Sequence, residues 1–175
     1  PSSTGDDRVI TLPTTADGTV LTTTNPKSGN IIQVKCTTKV DQFSTSSTSF
    51  VDVTGLSVDI TAASSSNKIL VTVDVFASCE DAAVLRLLVD STLIGNGTGG
   101  ASVNERGFAM VRQDDGNLSS GHGLQFLHTP GDTSSHTYKV VARATSASHT
   151  LGINRRADDT NYSLSSSISV MEIAG

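Results

Sequence analysis

The alternation of apolar and polar residues in the segment 68–78 is the feature that most constrains the fold. Four apolar residues share one parity there: Ile69, Val71, Val73 and Val75. Successive side chains of a strand point to opposite faces, so a period of two places one apolar face against a core. Branched side chains also fit a pleated surface well. The segment therefore predicts a long strand in a sheet with one buried face.

The same kind of pattern recurs at short intervals along the chain, with polar turns between. We predict strands at residues 31–40, 56–60, 68–78, 83–89, 93–94, 106–111, 124–127, 137–145, 151–154 and 168–173. Gly55 is expected to form the turn before the second of these, and 151–154 to pair with 137–145 across a short turn. The apolar run 83–89 has a length that fits a central strand or two helical turns, and we interpret it as a strand because a turn at 90–92 leads directly into 93–94. No other segment suggests a helix. Regular short strands separated by polar turns predict an all-β fold, an antiparallel, jelly-roll-like β-sandwich.

A short β-hairpin arm is predicted ahead of this domain. Residues 8–12 and 19–22 alternate around a turn that ends in Asp17-Gly18. The apolar residues of the arm are Ile10, Leu12, Val20 and Leu21. A lone two-stranded hairpin is marginal in water, so these residues must bury against the main domain or against the same hairpin of sister chains. We divide the chain into an arm and linker at 1–29 and a sandwich domain at 30–175.

Composition separates a folded domain from a disordered chain here. Ser and Thr supply more than a quarter of the 175 residues, which occurs in disordered segments too. Disorder normally brings a high net charge, whereas the net charge is -5 and the β-branched residues lie in ordered alternating runs. A mildly acidic chain without clustered Lys and Arg lacks the features of a nucleic-acid binder. No apolar run has the length of a membrane span, so we expect neither nucleic acid nor membrane as a partner.

The two cysteines, Cys36 and Cys79, each lie in or beside an apolar strand pattern. We interpret them as small buried residues with free thiols. A disulfide between neighbouring strands is the alternative. Two cysteines without a further paired motif do not predict a zinc site.

Residues that could carry catalysis do not form a recognisable pattern. The histidines His122, His128, His136 and His149 lack the helical i, i+4 spacing of a metalloprotease, although the first two share a parity. No G-x-S-x-G nucleophile elbow is present. Adjacent carboxylates on a strand point to opposite faces, so the Asp-Asp pairs do not predict an acid–base dyad. We expect a protein that is not an enzyme and that needs no cofactor.

Three loops are the candidate ligand-binding segments: 95–104, 113–121 and 157–165. The last two contain acidic runs with the residues Asp114, Asp115, Asn117, Asp158 and Asp159. Oxygen-rich loops of this kind can ligate calcium, but solvated turns are the preferred interpretation, so no metal site is predicted. Tyr162 is the best candidate for an exposed aromatic residue that contacts a sugar.

Several segments resemble the C-terminal β domain of marine bacteriophage tail-fibre and virion appendage proteins. They include Gly29-Asn-Ile-Ile-Gln-Val34, Val53-Thr-Gly-Leu-Ser-Val58, Thr137-Tyr-Lys-Val140 and Ser169-Val-Met-Glu-Ile173. The arm, with Arg8-Val-Ile-Thr-Leu-Pro13 and Asp17-Gly-Thr-Val-Leu-Thr22, is similar to the shaft-like segments that precede such domains. The resemblance covers nearly the whole chain and brings no catalytic residues with it.

This resemblance implies a homotrimeric tail-fibre or capsid-surface appendage on the phage particle, in contact with other virion proteins. A hairpin too small to fold alone gains a core when three copies associate. The alternative is a lectin-like module that recognises host surface glycan through its loops. A depolymerase is a third reading, but it would require the repeat of a long parallel β-helix, which the sequence lacks.

Overall fold

The computed structural model describes residues 26–100, 102–113 and 118–175. Within these ranges lie eleven strands and a single 3₁₀ turn at Val103–Glu105. The strands are β1 (Ile31–Lys39), β2 (Phe43–Thr45), β3 (Val51–Thr61), β4 (Lys68–Cys79), β5 (Ala82–Val89), β6 (Thr92–Ile94), β7 (Ala109–Arg112), β8 (Ser120–His128), β9 (Ser135–Ala144), β10 (Leu151–Ile153) and β11 (Ser166–Ile173). Across the described ranges, no helix has the length and apolar character needed to cross a membrane.

The strands form two antiparallel sheets. The first sheet has the order β1-β11-β4-β8. At the end of β4 that β11 does not reach, the short β10 pairs with β4, and β2 pairs with β10. The second sheet has the order β3-β9-β5, with β6 and β7 both paired to the free edge of β5. Eight of the strands can be renumbered 1 to 8 along the chain: β1, β3, β4, β5, β7, β8, β9 and β11. With this numbering the two sheets have the strand orders 1-8-3-6 and 2-7-4-5. This is the strand order of a jelly roll and confirms the predicted fold class.

The core lies between the sheets and is built from the alternating positions that the sequence indicated. On β4, the four residues Ile69, Val71, Val73 and Val75 are at most 1% exposed. The second sheet faces them with residues that are equally buried: Leu85, Leu87, Tyr138 and Val140. Each aliphatic side chain of this size stabilises the fold by about 1.5–3 kcal/mol when it leaves water. The two apolar faces therefore hold the sandwich together.

The predicted turn at Gly55 is wrong, because Gly55 lies inside the continuous strand β3. The pairing of β3 with β9 shifts register between Asp52 and Ser57, so the extra residues bulge away from the sheet. Gly55 has φ of 81°, which costs a residue without a Cβ little strain. Val53 and Leu56 remain buried on either side of it. The bulge thus absorbs the break in alternation without ending the strand.

The predicted pairing of β10 with β9 is wrong. Leu151 lies opposite Cys79 of β4 on one side and Thr45 of β2 on the other. Both edges of β9 are already filled, by β3 and by β5. A short strand that follows β9 therefore has to join the other sheet.

The two cysteines have different environments. Both thiols are free, and Cys79 is fully buried as expected. Cys36 is exposed, which corrects the expectation that both are buried. It lies on the outward face of the edge strand β1, opposite Ser169 of β11. A small apolar residue can occupy the outer face of a sheet because packing does not constrain that position.

Candidate ligand-binding loops at the distal end

The strand directions divide the sandwich into two ends. β1 begins and β11 finishes side by side, with Ile31 opposite Ile173, and we call this end the base. The other end, which we call the distal end, carries the connections β1–β2, β2–β3, β4–β5, β7–β8, β9–β10 and β10–β11. The chain therefore enters and leaves the described domain at the base, whereas most of its connecting loops lie at the opposite end.

Two of the three predicted ligand-binding loops meet at the distal end. The described residues of 113–121 and the segment 157–165 both lie there, and Ser119 Oγ donates a hydrogen bond at 3.0 Å to the carbonyl of Arg155, just before the second segment. The segment 95–104 is not distal, because it folds over the outer face of the second sheet. Arg143 Nε donates to the carbonyl of Asn104 at 3.1 Å there, and Arg86 donates to the carbonyl of Val103. Arginines on the outward face thus hold this loop away from the other two.

Asn154 organises the base of the β10–β11 loop. It is fully buried and has a positive φ of 58°, a conformation that Asn tolerates better than most residues. Its Nδ2 donates to the carbonyls of Lys39 at 2.9 Å and Asp41 at 3.2 Å, while its Oδ1 accepts from Ser166 Oγ at 2.5 Å. Ser166 Oγ also accepts from the backbone N–H of Phe76 at 3.0 Å. These bonds join β1, β4 and β11 around one amide.

Tyr162 stands on the β10–β11 loop beside two charged side chains. It is 55% exposed, and the guanidinium of Arg156 lies 4.0 Å from the centre of its ring. Arg156 Nη1 also contacts Asp159 Oδ2 at 3.3 Å. The backbone N–H of Asn161, bonded to Asp159 Oδ1 at 3.0 Å, and the nearby Arg156 hold the pKa of Asp159 below its usual value. The carboxylate therefore stays ionised and suits accepting hydrogen bonds more than donating a proton.

The β1–β2 connection contacts the β10–β11 loop and fixes its backbone. Gln42 Nε2 donates to the carbonyls of Thr160 at 3.1 Å and Tyr162 at 3.0 Å. These two bonds fix the backbone on both sides of Asn161. The aromatic ring is therefore presented on a positioned segment and not on an untethered loop.

The predicted site residues that the structure describes share one loop but differ in environment. Asp158 and Tyr162 are exposed, and Asp159 is half-buried in its contact with Arg156. The other loop residues, Asp114, Asp115 and Asn117, lie outside the described residues, as do the arm residues Ile10, Leu12, Val20 and Leu21. Their proposed role in ligand binding therefore remains a prediction.

The acidic run at 158–161 has the geometry of a turn. Asp159 Oδ1 accepts the N–H of the residue two positions further on, which is an Asx turn, and Oδ2 faces Arg156. In the part of the chain that the structure describes, no three His, Cys, Asp or Glu side chains converge in a way that could hold a metal ion.

Sequence reasoning missed the residues that build this loop. Arg156 was visible as half of a basic pair next to acidic residues, which could have suggested an ion pair. Gln42 and Asn154 gave no signal, because each acts on residues more than a hundred positions away or across three strands. Contacts of this kind depend on the meeting of distant loops and leave no local pattern.

A second polar cluster lies at the base. His136 on β9 contacts Asp90 Oδ2 through Nδ1 at 2.8 Å and Asp132 Oδ1 through Nε2 at 3.1 Å. The hydrogen bond to Asp90 raises the pKa of His136, and the bond to Asp132 raises it further. Burial acts in the opposite direction but does not cancel this rise. Across the sandwich, His128 Nδ1 pairs with the buried hydroxyl of Tyr138 at 2.7 Å, and burial lowers the pKa of His128. His122 and His128, which share a parity in the sequence, both lie on the inward side of β8.

Comparisons with known proteins give little that bears on function. No family model and no curated protein matches the chain. Among solved structures, one similar chain is the infectious bursal disease virus VP2 subviral particle, with 14% identity and a TM-score of 0.35. The alignment covers 96% of this chain and 42% of that one, so this chain spans less than half the length of the viral protein. A likeness this weak adds no argument to the strand order described above.

Proposed function

We propose that the chain is a structural module of a bacteriophage virion, a homotrimeric tail-fibre or capsid-surface appendage. It performs no catalysis and needs no cofactor. Its base faces its sister chains and other virion proteins, and its distal end faces outward from the particle surface, where it takes part in host attachment.

The observation that carries this proposal is the separation of the two ends. The chain enters and leaves the described domain at the base, where Ile31 lies opposite Ile173. The distal loops are fixed from within by the buried Asn154 and from below by Gln42. A module built this way is attached at one end and presents ordered loops at the other. Jelly rolls serve viral capsid and lectin domains alike, and the sequence resemblance favours the virion setting.

The oligomeric state tests this proposal. We expect light scattering behind a sizing column to give three times the 18.1 kDa mass of the chain. An assembly of this kind stays together at micromolar concentration, because folding and association of the arms are then one event. A monomer at that concentration contradicts the proposal.

A lectin-like module for receptor recognition is the second candidate, and the Tyr162 site favours it. Aromatic rings stack on sugar faces while nearby charged groups hydrogen-bond to hydroxyls. Tyr162 supplies the exposed ring, and Arg156 and Asp159 supply a donor and an acceptor beside it. This function is compatible with a virion appendage that also binds the receptor.

A glycan array distinguishes the second candidate from the first. We expect Tyr162→Ala to lose at least tenfold of any signal that the unmodified chain gives. Leu164→Ala is the matched control, because Leu164 is exposed on the same loop and lies outside the Arg156 contact. Background signal for the unmodified chain would remove the lectin function and leave the structural role standing.

A further inference from the structure

The outer face of the first sheet carries an apolar row that spans four strands. Val34 of β1 lies opposite Met171 of β11, which lies opposite Leu70 of β4, which lies opposite Leu127 of β8. All four side chains point away from the core, and Val34 and Leu127 are 54% and 48% exposed. Strands are spaced by about 4.8 Å, so the row is about 14 Å wide.

The polarity of this face changes from the base to the distal end. On the basal side of the row lie Ile31, which is 60% exposed, and its partner Ile173. On the distal side, the next two rows are almost entirely polar or small: Cys36, Ser169, Thr72, Gln125, and then Thr38, Ser167, Asp74, Gly123. Apart from Phe76, which is 38% exposed in the row beyond Asp74, the apolar surface lies in the half of the face that adjoins the base. We call this half the basal face.

The area of the basal face fits a short segment better than a whole subunit. Its full row is about 14 Å wide, and Ile31 and Ile173 lie about 7 Å further along the strands, beside Lys68, so the apolar area is on the order of 100 Å². A stable interface buries about 800 Å² on each partner. A two-stranded hairpin is about 10 Å wide with its side chains and covers such an area well.

The chain supplies such a segment at the right end of the molecule. Residues 1–25 precede the described domain, which begins at Pro26 at the base. There the backbone of Gly29 donates to Ala174 at 2.9 Å, which fixes the entry point beside the end of β11. Within the preceding segment, 8–22 has the alternating apolar residues of a hairpin that cannot fold alone. Among the described residues nothing covers the basal face, and the sequence supplies an apolar segment directly before the point where the chain enters at the base.

We infer that the basal face is the docking site for residues 8–22 of a neighbouring copy of this chain. The inference rests on the self-association proposed above, and it specifies the surface through which that association occurs. Each copy gives its arm to one neighbour and receives an arm from the other. A head-to-tail exchange of this kind closes into a ring when the rotation permits, as in a trimer.

Cys36 reports on this contact. Its exposed thiol lies in the row next to Val34 on the same face, whereas Cys79 is fully buried. A hairpin about 10 Å wide that covers the Val34 row also reaches the adjacent row of Cys36, about 7 Å away, and so shields this thiol from a maleimide reagent. Peptide mapping separates its modification from that of Cys79. The experiment compares the full chain with a face variant, Leu127→Asp, and an arm variant, Ile10→Asp with Leu12→Asp. Met110→Asp is the control, because Met110 is 62% exposed on the second sheet.

The experiment measures both the mass of the assembly and the rate at which Cys36 is labelled. The unmodified chain and the control are trimers with slow labelling of Cys36, and both variants lose the trimer and label at least tenfold faster. A second face variant, Val34→Asp, gives the same result and guards against misfolding of the first, with circular dichroism as the check on fold.

Other outcomes overturn the inference in distinguishable ways. A trimer whose Cys36 labels fast leaves the proposed function standing and removes the docking site. A trimer that survives Leu127→Asp while Cys36 becomes reactive places the arm on its own subunit. A monomer contradicts the proposed trimer as well: slow labelling then means that the arm covers its own domain, and fast labelling means that the face is uncovered.

Discussion

Asn154 shows how a single residue can organise one end of the sandwich. It combines a positive φ with a fully buried amide that bonds to two carbonyls and one hydroxyl. Few side chains satisfy both demands, because most residues are strained at positive φ and most polar groups are costly to bury unpaired. Asn does both, since its amide offers donors and an acceptor in one small group.

We predict that Asn154→Ala destabilises the protein by about 2–4 kcal/mol, since a buried unsatisfied partner costs about 1–3 kcal/mol and the positive φ adds strain. Urea unfolding monitored by circular dichroism measures the effect. Asn154→Gly tolerates the positive φ and removes only the side chain, so its stability should lie between those of Asn154→Ala and the unmodified chain. Asn161→Ala, on the exposed part of the same loop, is the control and should change stability by less than about 0.5 kcal/mol. Equal stability of Asn154→Ala and the unmodified chain would contradict this role.

At the scale of elements, His136 connects two basal loops to β9. Asp90 follows β5 in a turn with φ of 54°, and Asp132 lies in the β8–β9 loop. Both carboxylates reach the same imidazole, and Asp90 Oδ1 also accepts the N–H of Thr137 at 2.9 Å. The bond from His136 lowers the pKa of Asp90, with a contribution from Thr137, and the backbone N–H of Ser134 lowers that of Asp132.

We predict that this cluster stabilises the protein most in mildly acidic solution. A raised pKa of His136 gives stability that is complete below the ordinary value of 6.5 and is lost as pH rises through the higher native value. The lowered pKa values of Asp90 and Asp132 give stability that is present above 3.8 and is lost as pH falls through their native values. The cluster therefore contributes most between about pH 4 and 6.5.

The test compares the unmodified chain with His136→Gln by urea unfolding at pH 5.5 and pH 8.5. The difference in unfolding free energy between the two proteins should be larger at pH 5.5. Comparing the two proteins at each pH cancels the opposite effect of His122, whose pKa is lowered by burial. The pKa of His128 is lowered by burial and, to a lesser degree, by the charge of His136, so part of its effect is included in the difference. The carboxylates are about half exposed, so the effect is small. A difference that is independent of pH would show that His136 acts only by packing.

At the scale of the described domain, the distal end carries most of the connecting loops, and the basal half of the first sheet's outer face carries a row of four apolar residues. The jelly roll buries the alternating residues of both sheets, so the domain has its own core and does not need partners to bury it. In the described residues, large apolar side chains are exposed at both ends: Ile31, Val34 and Leu127 near the chain entry, and Val40, Phe76, Leu118, Tyr162 and Leu164 toward the distal end. The proposed association at the base would leave the distal loops exposed.

We predict that thermal stability depends on protein concentration. If association stabilises the native state, the Tm rises with concentration by mass action. Scanning calorimetry over a hundredfold range of concentration should show a rise of several degrees for the unmodified chain. Leu127→Asp should have a Tm that no longer depends on concentration. A constant Tm for both proteins would contradict association through the basal face.

The sequence by itself determined the local pattern of this protein. The period-two alternation identified β4 and most other strands, because which residues share a face follows from the backbone geometry of a strand alone. The same reasoning located the acidic turn at 158–161, since Asp side chains bond to nearby backbone wherever a turn occurs. The fold class followed from the number and spacing of such strands.

Only the tertiary structure decided which distant residues meet. It placed β10 beside β4 instead of β9, because the edges of β9 were already taken. It also brought Gln42 to Tyr162 and aligned Val34 with Leu127 across four strands. Pairings of this kind depend on how whole sheets are arranged, and one residue's neighbours in the chain carry no record of that arrangement. The strands could therefore be predicted from local pattern, whereas the candidate site and the basal face depend on how the whole chain packs.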